Sequence, residues 1–388
     1  MENWSLPTGL TSALRLLTWQ GSTQAPPPPA PTPPAMSQDA LVLSPKPPAP
    51  APKPVPKAKP APAPTPARGP VATAGQIALN DAKGQYIKDP SFANNGQPIG
   101  NQRYIAFGNL RKFYLKGFEL GKSADGAPGL AFNKGEIPID IKGLAPGLDG
   151  LWAPQVVVTG DTVRLYYTAG KMGFGIDWPS FRLHEATVSL KDFRAAAEAG
   201  KPVSFQDKGT LFNDQQTFGG NDRDFAMIDP QFYKSPNGKA YMTYTVVKAG
   251  IPGKRSHEEF VRSREVDPNN PGRAVGPDKA LVDGWAGGRH DGVAEAQDLV
   301  TYNGRPYLFV SSRGGDKDQR VLVAPVGADL GPVPDNAWRE VLTPGGAPWS
   351  SNAVGSTSGA VMGGKLFTIY QGMDANHQFS LGFKPLSI

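Results

Sequence analysis

Gln231-Phe232-Tyr233-Lys234-Ser235-Pro236-Asn237-Gly238-Lys239-Ala240-Tyr241-Met242-Thr243-Tyr244-Thr245-Val246-Val247 is the stretch whose reading decides the fold. Two runs rich in aromatic and β-branched residues flank an Asn-Gly pair, the strongest short-range signal for a β-hairpin. The unit recurs upstream as Gln155 to Val158, a turn at Gly160-Asp161, then Val163 to Tyr167. Downstream it returns as Asp298 to Tyr302, Asn303-Gly304 and Pro306 to Ser311, then as Gly359 to Met362, Gly363-Gly364 and Leu366 to Tyr370. A looser first copy is Ser91-Phe92, Asn95-Gly96 and Arg103 to Phe107.

The turn glycines Gly96, Gly160, Gly238, Gly304 and Gly364 lie 64, 78, 66 and 60 residues apart. Four short strands with their loops need about 40–50 residues in a compact propeller blade, and longer loops fill the remainder. The repeat therefore predicts an all-β, five-bladed β-propeller. Helix is expected at one place only, Asp192 to Ala199, with Gly200 as its stop.

The repeat does not reach the N-terminus. Between Pro26 and Pro70 lie 19 of the chain's 41 prolines, and Ala-Pro, Lys-Pro and Pro-Pro pairs leave too little apolar surface to offset ordering. Residues 26–75 read as a disordered polyproline spacer. Residues 1–25 read as a separate segment resembling a degenerate export signal, with one short apolar run broken by Arg15. The propeller is expected over 76–388. The net charge of +6 is concentrated in the tail, which carries +4 up to Pro70 and leaves +2 for the rest. That balance argues against nucleic acid as a partner. With no cysteine in 388 residues, disulfides, thiolate nucleophiles and cysteine-ligated zinc are excluded. No run is long and apolar enough to span a bilayer. A monomer, secreted or held in the periplasm or cell envelope, is expected.

Propellers gather the starts of their inner strands around one end of a central channel, so chemistry is expected just before each hairpin. The segments there are Lys88-Asp89-Pro90, Trp152-Ala153-Pro154, Ile228-Asp229-Pro230 and Glu295-Ala296-Gln297. Three acids, Asp89, Asp229 and Glu295, are thus expected at equivalent places on three blades. Acids among apolar neighbours and beside one another hold protons to higher pH. One acid kept protonated beside another left charged is the pairing that glycoside hydrolysis uses. The ordinary alternative is that each Asp-Pro merely starts a strand or turn.

This series of motifs resembles glycoside hydrolase family 43, the five-bladed arabinanases, arabinofuranosidases and xylosidases, over residues from about 80 to 388. The resemblance implies Asp89 as the general base that activates water, Glu295 as the general acid, and Asp229 as the residue that tunes and positions the acid. It implies inversion at a pentose-containing oligo- or polysaccharide. Two departures stand out. The family usually has proline soon after the acid, where this chain has Ala296-Gln297. Many members carry a last-blade histidine linked to a bound cation, where this chain has Gly355-Ser356-Thr357 and Tyr370-Gln371-Gly372. No cofactor is expected, and a cation in the central channel is disfavoured.

Tyr307-Leu308-Phe309-Val310-Ser311-Ser312-Arg313 is also similar to a stretch of the family 68 fructosyltransferases, which share the fold but retain configuration. A retaining fructosyltransferase or sucrose hydrolase is therefore the second reading. A propeller that binds carbohydrate without cleaving it is the third. Candidate substrate-binding residues are Trp152, Phe225, Arg289, His290, Arg313 and Trp349. Asp222 and Asp224 read as loop acids, and His184 and His257 as structural or exposed.

Overall fold

In the computed structural model the described residues are 75–77, 87–122, 128–173, 175–212, 224–249, 257–284, 290–312 and 318–388. They form twenty strands, one α-helix and a few 3₁₀ turns. Strand β1 (Gly75–Ile77) belongs to the last blade. The first blade is β2 (Lys88–Phe92), β3 (Arg103–Gly108), β4 (Phe113–Lys122) and β5 (Pro128–Lys142). The second is β6 (Gly150–Thr159), β7 (Thr162–Lys171), β8 (Asp177–Ser189) and β9 (Val203–Thr210). The third is β10 (Asp224–Lys234), β11 (Ala240–Ala249), β12 (His257–Asp267) and β13 (Asn270–Val282). The fourth is β14 (Ala294–Tyr302), β15 (Arg305–Ser312), β16 (Arg320–Pro325) and β17 (Arg339–Leu342). The fifth is β18 (Ala353–Met362), β19 (Lys365–Met373) and β20 (Phe379–Leu386), completed by β1, which pairs antiparallel with β20. This is the five-bladed propeller that the repeat predicts.

Each blade is an antiparallel meander, and the first two also join through a short parallel pairing of β5 with β9. The hairpin turns carry the expected chemistry. Asn303 and Gly304 both have positive φ (50° and 74°), as a tight turn matching strand twist requires. Helix α1 (Leu190–Glu198) starts two residues before the expected Asp192, because Ser189 caps it, accepting from the Asp192 N–H at 3.0 Å. No helix among the described residues is long and apolar enough to cross a membrane.

The core lies between blades. Alternating side chains of adjacent sheets interlock, as where Tyr166 and Leu183 of the second blade meet Phe232, Met242 and Tyr244 of the third. Near the axis the packing becomes polar, for a reason built into the inner strands.

Every inner strand slips register at a matching place, Lys88/Ser91, Trp152/Gln155, Ile228/Gln231, Glu295/Asp298 and Gly355/Ser358, and β10 slips a second time at Asp224/Ala226. The first bulged residue at each matching place has positive φ: Asp89 (52°), Ala153 (51°), Asp229 (57°), Ala296 (47°) and Ser356 (41°). Bulges interrupt the ladder and leave backbone groups in need of partners. Two residues past each bulge start, a polar side chain crosses to the neighbouring blade. Gln155 accepts from Phe232 N–H at 2.6 Å, Gln231 from Leu299 N–H at 2.8 Å, Asp298 from Gly359 N–H at 2.5 Å, and Ser358 from Phe92 N–H at 3.1 Å. At the remaining junction Ser91 Oγ donates to the Pro154 carbonyl at 2.5 Å. These latches run once around the axis.

Candidate active site

The bulges surround an axial cavity of about 400 Å³, counting its open ends. Three residues per blade line it, beginning at Asp89, Ala153, Asp229, Ala296 and Ser356. Asp89 and Asp229 are therefore brought to the cavity by strand interiors, not by the segments before the hairpins. The expected equivalence also needs correction. Asp89 and Asp229 occupy the same place in their blades, but Glu295 stands one residue earlier. Its counterparts are Lys88, Trp152, Ile228 and Gly355. The residue of the fourth blade that matches the two aspartates is Ala296. The offset matters because neighbouring residues of a strand point to opposite faces unless a bulge re-aims them.

Asp89 is held on both oxygens. Ser356 Oγ donates to Oδ1 at 2.9 Å, and the Ala153 N–H donates to Oδ2 at 3.3 Å. Its own N–H reaches Gln371 Oε1 at 3.4 Å. Ser356 and Gln371 lie in the two segments where the resemblance would have supplied a histidine. Here they hold an aspartate in place.

Asp229 is buried. Its Oδ2 accepts the Ala296 N–H at 3.0 Å, its N–H bonds Thr168 Oγ1 at 2.9 Å, and its carbonyl accepts from Gln297 Nε2 at 2.5 Å. Burial, then the charge of Asp89, pushes its carboxyl up to about 7, against the pull of the Ala296 N–H. Glu295 is partly buried and accepts from Gln319 Nε2 at 2.6 Å. Burial, then the charges of Glu259 and Asp229, raises its carboxyl well above the usual range, and Lys88 and Gln319 oppose the rise. The site thus contains a carboxylate fixed by two donors and an acid with reason to stay protonated.

The other sequence candidates divide. Trp152 lies in the same tier as Glu295, packed on Phe181 (ring centroids 4.3 Å apart) and edge-on to Trp178. Its indole N–H is buried with no hydrogen-bond partner among the described residues. His290 is buried within the fourth blade, bonded through Nδ1 to Ser312 Oγ at 2.9 Å and set against Trp338. Trp349 stacks near Tyr370 (5.6 Å) and covers Gly372 and Gly382, where any Cβ would strike its ring. Asp89 and Asp229 line the axial cavity, whereas Glu295 and Trp152 stand one tier outside its lining, and neither His290 nor Trp349 is part of it. Arg289, Arg313 and the side chain of Phe225 lie outside the described residues. Gln319 and Glu259 escaped sequence reading, since neither sits at a repeated position beside an acid motif, and Lys88, though it adjoins Asp89, shows nothing in the sequence of its action on Glu295.

No group of three His, Asp or Glu side chains among the described residues is arranged to hold a metal ion. The axial acids are committed to donors instead. Asp298, for example, accepts both the Gly359 and Leu299 N–H groups. Burial raises its carboxyl to about 7.

Fold and cavity together define the class: a five-bladed propeller of the kind found in family 43 glycoside hydrolases. The structure matches a thermostable family-43 glycoside hydrolase with a TM-score of 0.54 at 15% identity, covering 80% of this chain and 93% of that one. It matches the native arabinanase of Bacillus subtilis with a TM-score of 0.51 at 16% identity, covering 80% and 97%. An α-L-arabinofuranosidase from Lactobacillus brevis gives 0.53 at 14%, covering 80% and 93%. No protein-family profile matches the sequence, and no curated protein matches it.

Proposed function

We propose that the protein is an inverting glycosidase acting on arabinose- or xylose-containing oligo- or polysaccharides, with Asp89 as general base, Glu295 as general acid and Asp229 as the residue that tunes the acid. The observation that carries this reading is the contrast between Asp89, which lines the axial cavity, and Glu295, one residue outside that lining and within the field of Asp229. Asp89 is fixed by Ser356 and Ala153, while burial and neighbouring charge hold a proton on Glu295. Inverting hydrolysis requires that division: the acid protonates the leaving oxygen as the base takes a proton from the attacking water. Asp229, between them in the series, adds a charge that keeps Glu295 protonated.

Pentose as the sugar rests on the arabinanase and arabinofuranosidase whose fold the chain shares. A secreted or cell-envelope setting, suited to polysaccharide outside the cell, rests on the Pro-rich tail alone. The test is hydrolysis of aryl α-L-arabinofuranoside, aryl β-xyloside, arabinan and sucrose, with the anomer of the first product followed by NMR. Inverted pentose product supports the reading. Retained configuration on sucrose would favour the fructosyl alternative, and binding without turnover would reduce the protein to a carbohydrate-binding propeller. Glu295→Gln is expected to lower turnover by several orders of magnitude, as loss of a general acid does on an unactivated leaving group.

A further inference from the structure

The third blade brings a further acid to the site. Glu259, on β12, is buried at 5% exposure. Its N–H donates to the carbonyl of Gly292 at 3.1 Å, three residues before Glu295. Its carbonyl occupies the space that a Cβ at Gly284 would need, a place that also borders the Ala294 N–H. Cross-strand pairing sets Glu259 opposite Val247, and Val261 opposite Thr245. Side chains two apart on a strand share a face, and Thr245 Oγ1 bonds Gln297 Oε1 at 2.9 Å. Thr245 and Val261 thus face the fourth blade, and the Glu259 backbone is tied to residues 292–294, which lead into Glu295. The neighbouring Glu258 and the paired Lys248 fall on the opposite face.

One Glu259 oxygen, Oε1, lies 3.3 Å from His257 Nε2, and His257 is braced against Trp178 (5.3 Å between rings). The other, Oε2, is buried with no hydrogen-bond partner among the described residues. Burying a carboxylate oxygen unpaired beside two other acids is costly, and among the described residues only the His257 contact on the other oxygen offsets it.

We propose that Glu259, held by His257, is a positioning residue for the proposed acid Glu295 and acts on it through its charge. This rests on the reading of Glu295 given above. The ionisable groups that bear on Glu295 are Glu259, Asp229 and Lys88, and Glu259 is the strongest of the charges. Asp229 feels Glu259 as well. A negative neighbour makes Glu295 hold its proton to higher pH, so removing that charge lets the proton go earlier.

The experiment is a carboxyl-carbon NMR titration of Glu295 in the full-length protein, assigned with Glu295→Gln, alongside a pH–rate profile. Glu259→Gln is expected to lower the Glu295 midpoint by about one pH unit and to move the basic limb of kcat/KM down with it, leaving KM little changed. Glu259→Asp, which keeps the charge, is expected to lie closer to wild type. An unchanged midpoint in folded Glu259→Gln overturns the proposal. Should that variant not fold, the wild-type titration decides: Glu259 must carry its charge when Glu295 loses its proton, and a Glu259 carboxyl still protonated at the Glu295 midpoint overturns the proposal. If the wild type cleaves no glycoside the functional reading fails, while the NMR midpoint still decides the role of Glu259.

Discussion

Ser356 Oγ donates to Asp89 Oδ1 at 2.9 Å, tying the last blade to the first across 267 residues of chain. The two residues occupy the same bulge position in their blades. The contact therefore closes the ring of blades and aims the proposed base in one stroke. Ser356→Ala removes one of two donors that fix Asp89. A tenfold loss in kcat/KM is expected, corresponding to about 1.4 kcal/mol for one hydrogen bond to a charged group. A kinetic comparison with wild type checks it, and unchanged kcat/KM would separate Ser356 from the chemistry.

Gln319 opposes the proton on Glu295, because its amide donates to the ionised form. Gln319→Leu is expected to raise the proton affinity of Glu295 further. A general acid works only while protonated, so the basic limb of the pH–rate profile should move to higher pH. A shift in the other direction would mean that the basic limb reports some group other than Glu295.

Asp298 carries a stability signature. Its carboxyl is raised by burial to about 7 in the folded chain, against about 3.9 when unfolded. The folded state thus binds a proton that the unfolded state has lost, and stability falls as pH rises through that window, by about 1.4 kcal/mol per pH unit for this group. Below pH 4 its contribution is fully present, and above pH 7 it is gone. Asp298→Asn should flatten the decline of Tm between pH 4 and pH 7. Melting curves at four or five pH values are sufficient to see it.

Gln231 bridges the third and fourth blades by accepting the Leu299 N–H. Gln231→Leu removes one of the two acceptors of that N–H, which keeps Asp298 Oδ1 at 3.0 Å, so the cost is expected near the low end, about 1 kcal/mol. Denaturant unfolding measures the loss. The same substitution at Gln155, which serves both the N–H and the carbonyl of Phe232, is expected to cost more, about 1–3 kcal/mol, since Asp298 backs up the Gln231 latch alone of the two.

Much of this was written locally. Asn303-Gly304 sets a turn by its own backbone preferences, and alternating runs such as Ala240 to Val247 fix which side chains face the neighbouring blade. The acids Asp89, Asp229 and Glu295 were visible because each sits beside a repeated hairpin. Their exact tier was not. Nothing in Glu295-Ala296-Gln297 announces that the bulge begins at Ala296, because slippage is settled by pairing with β15 and by the fit of one blade against the next. Ser189 also went unread as a cap, and the helix began earlier than its apolar pattern suggested.

The sequence by itself determined the blade count and the hairpins, because those follow from short-range turn chemistry and period-two patterning, and it offered Asp89, Asp229 and Glu295 as candidate acids. Only the tertiary structure decided which groups act on those acids. Ser356, Gln319 and Glu259 lie 267, 24 and 36 residues from the carboxyls they touch or charge. Electrostatics and hydrogen bonding depend on distance through space, and closing the ring of blades is what sets those distances.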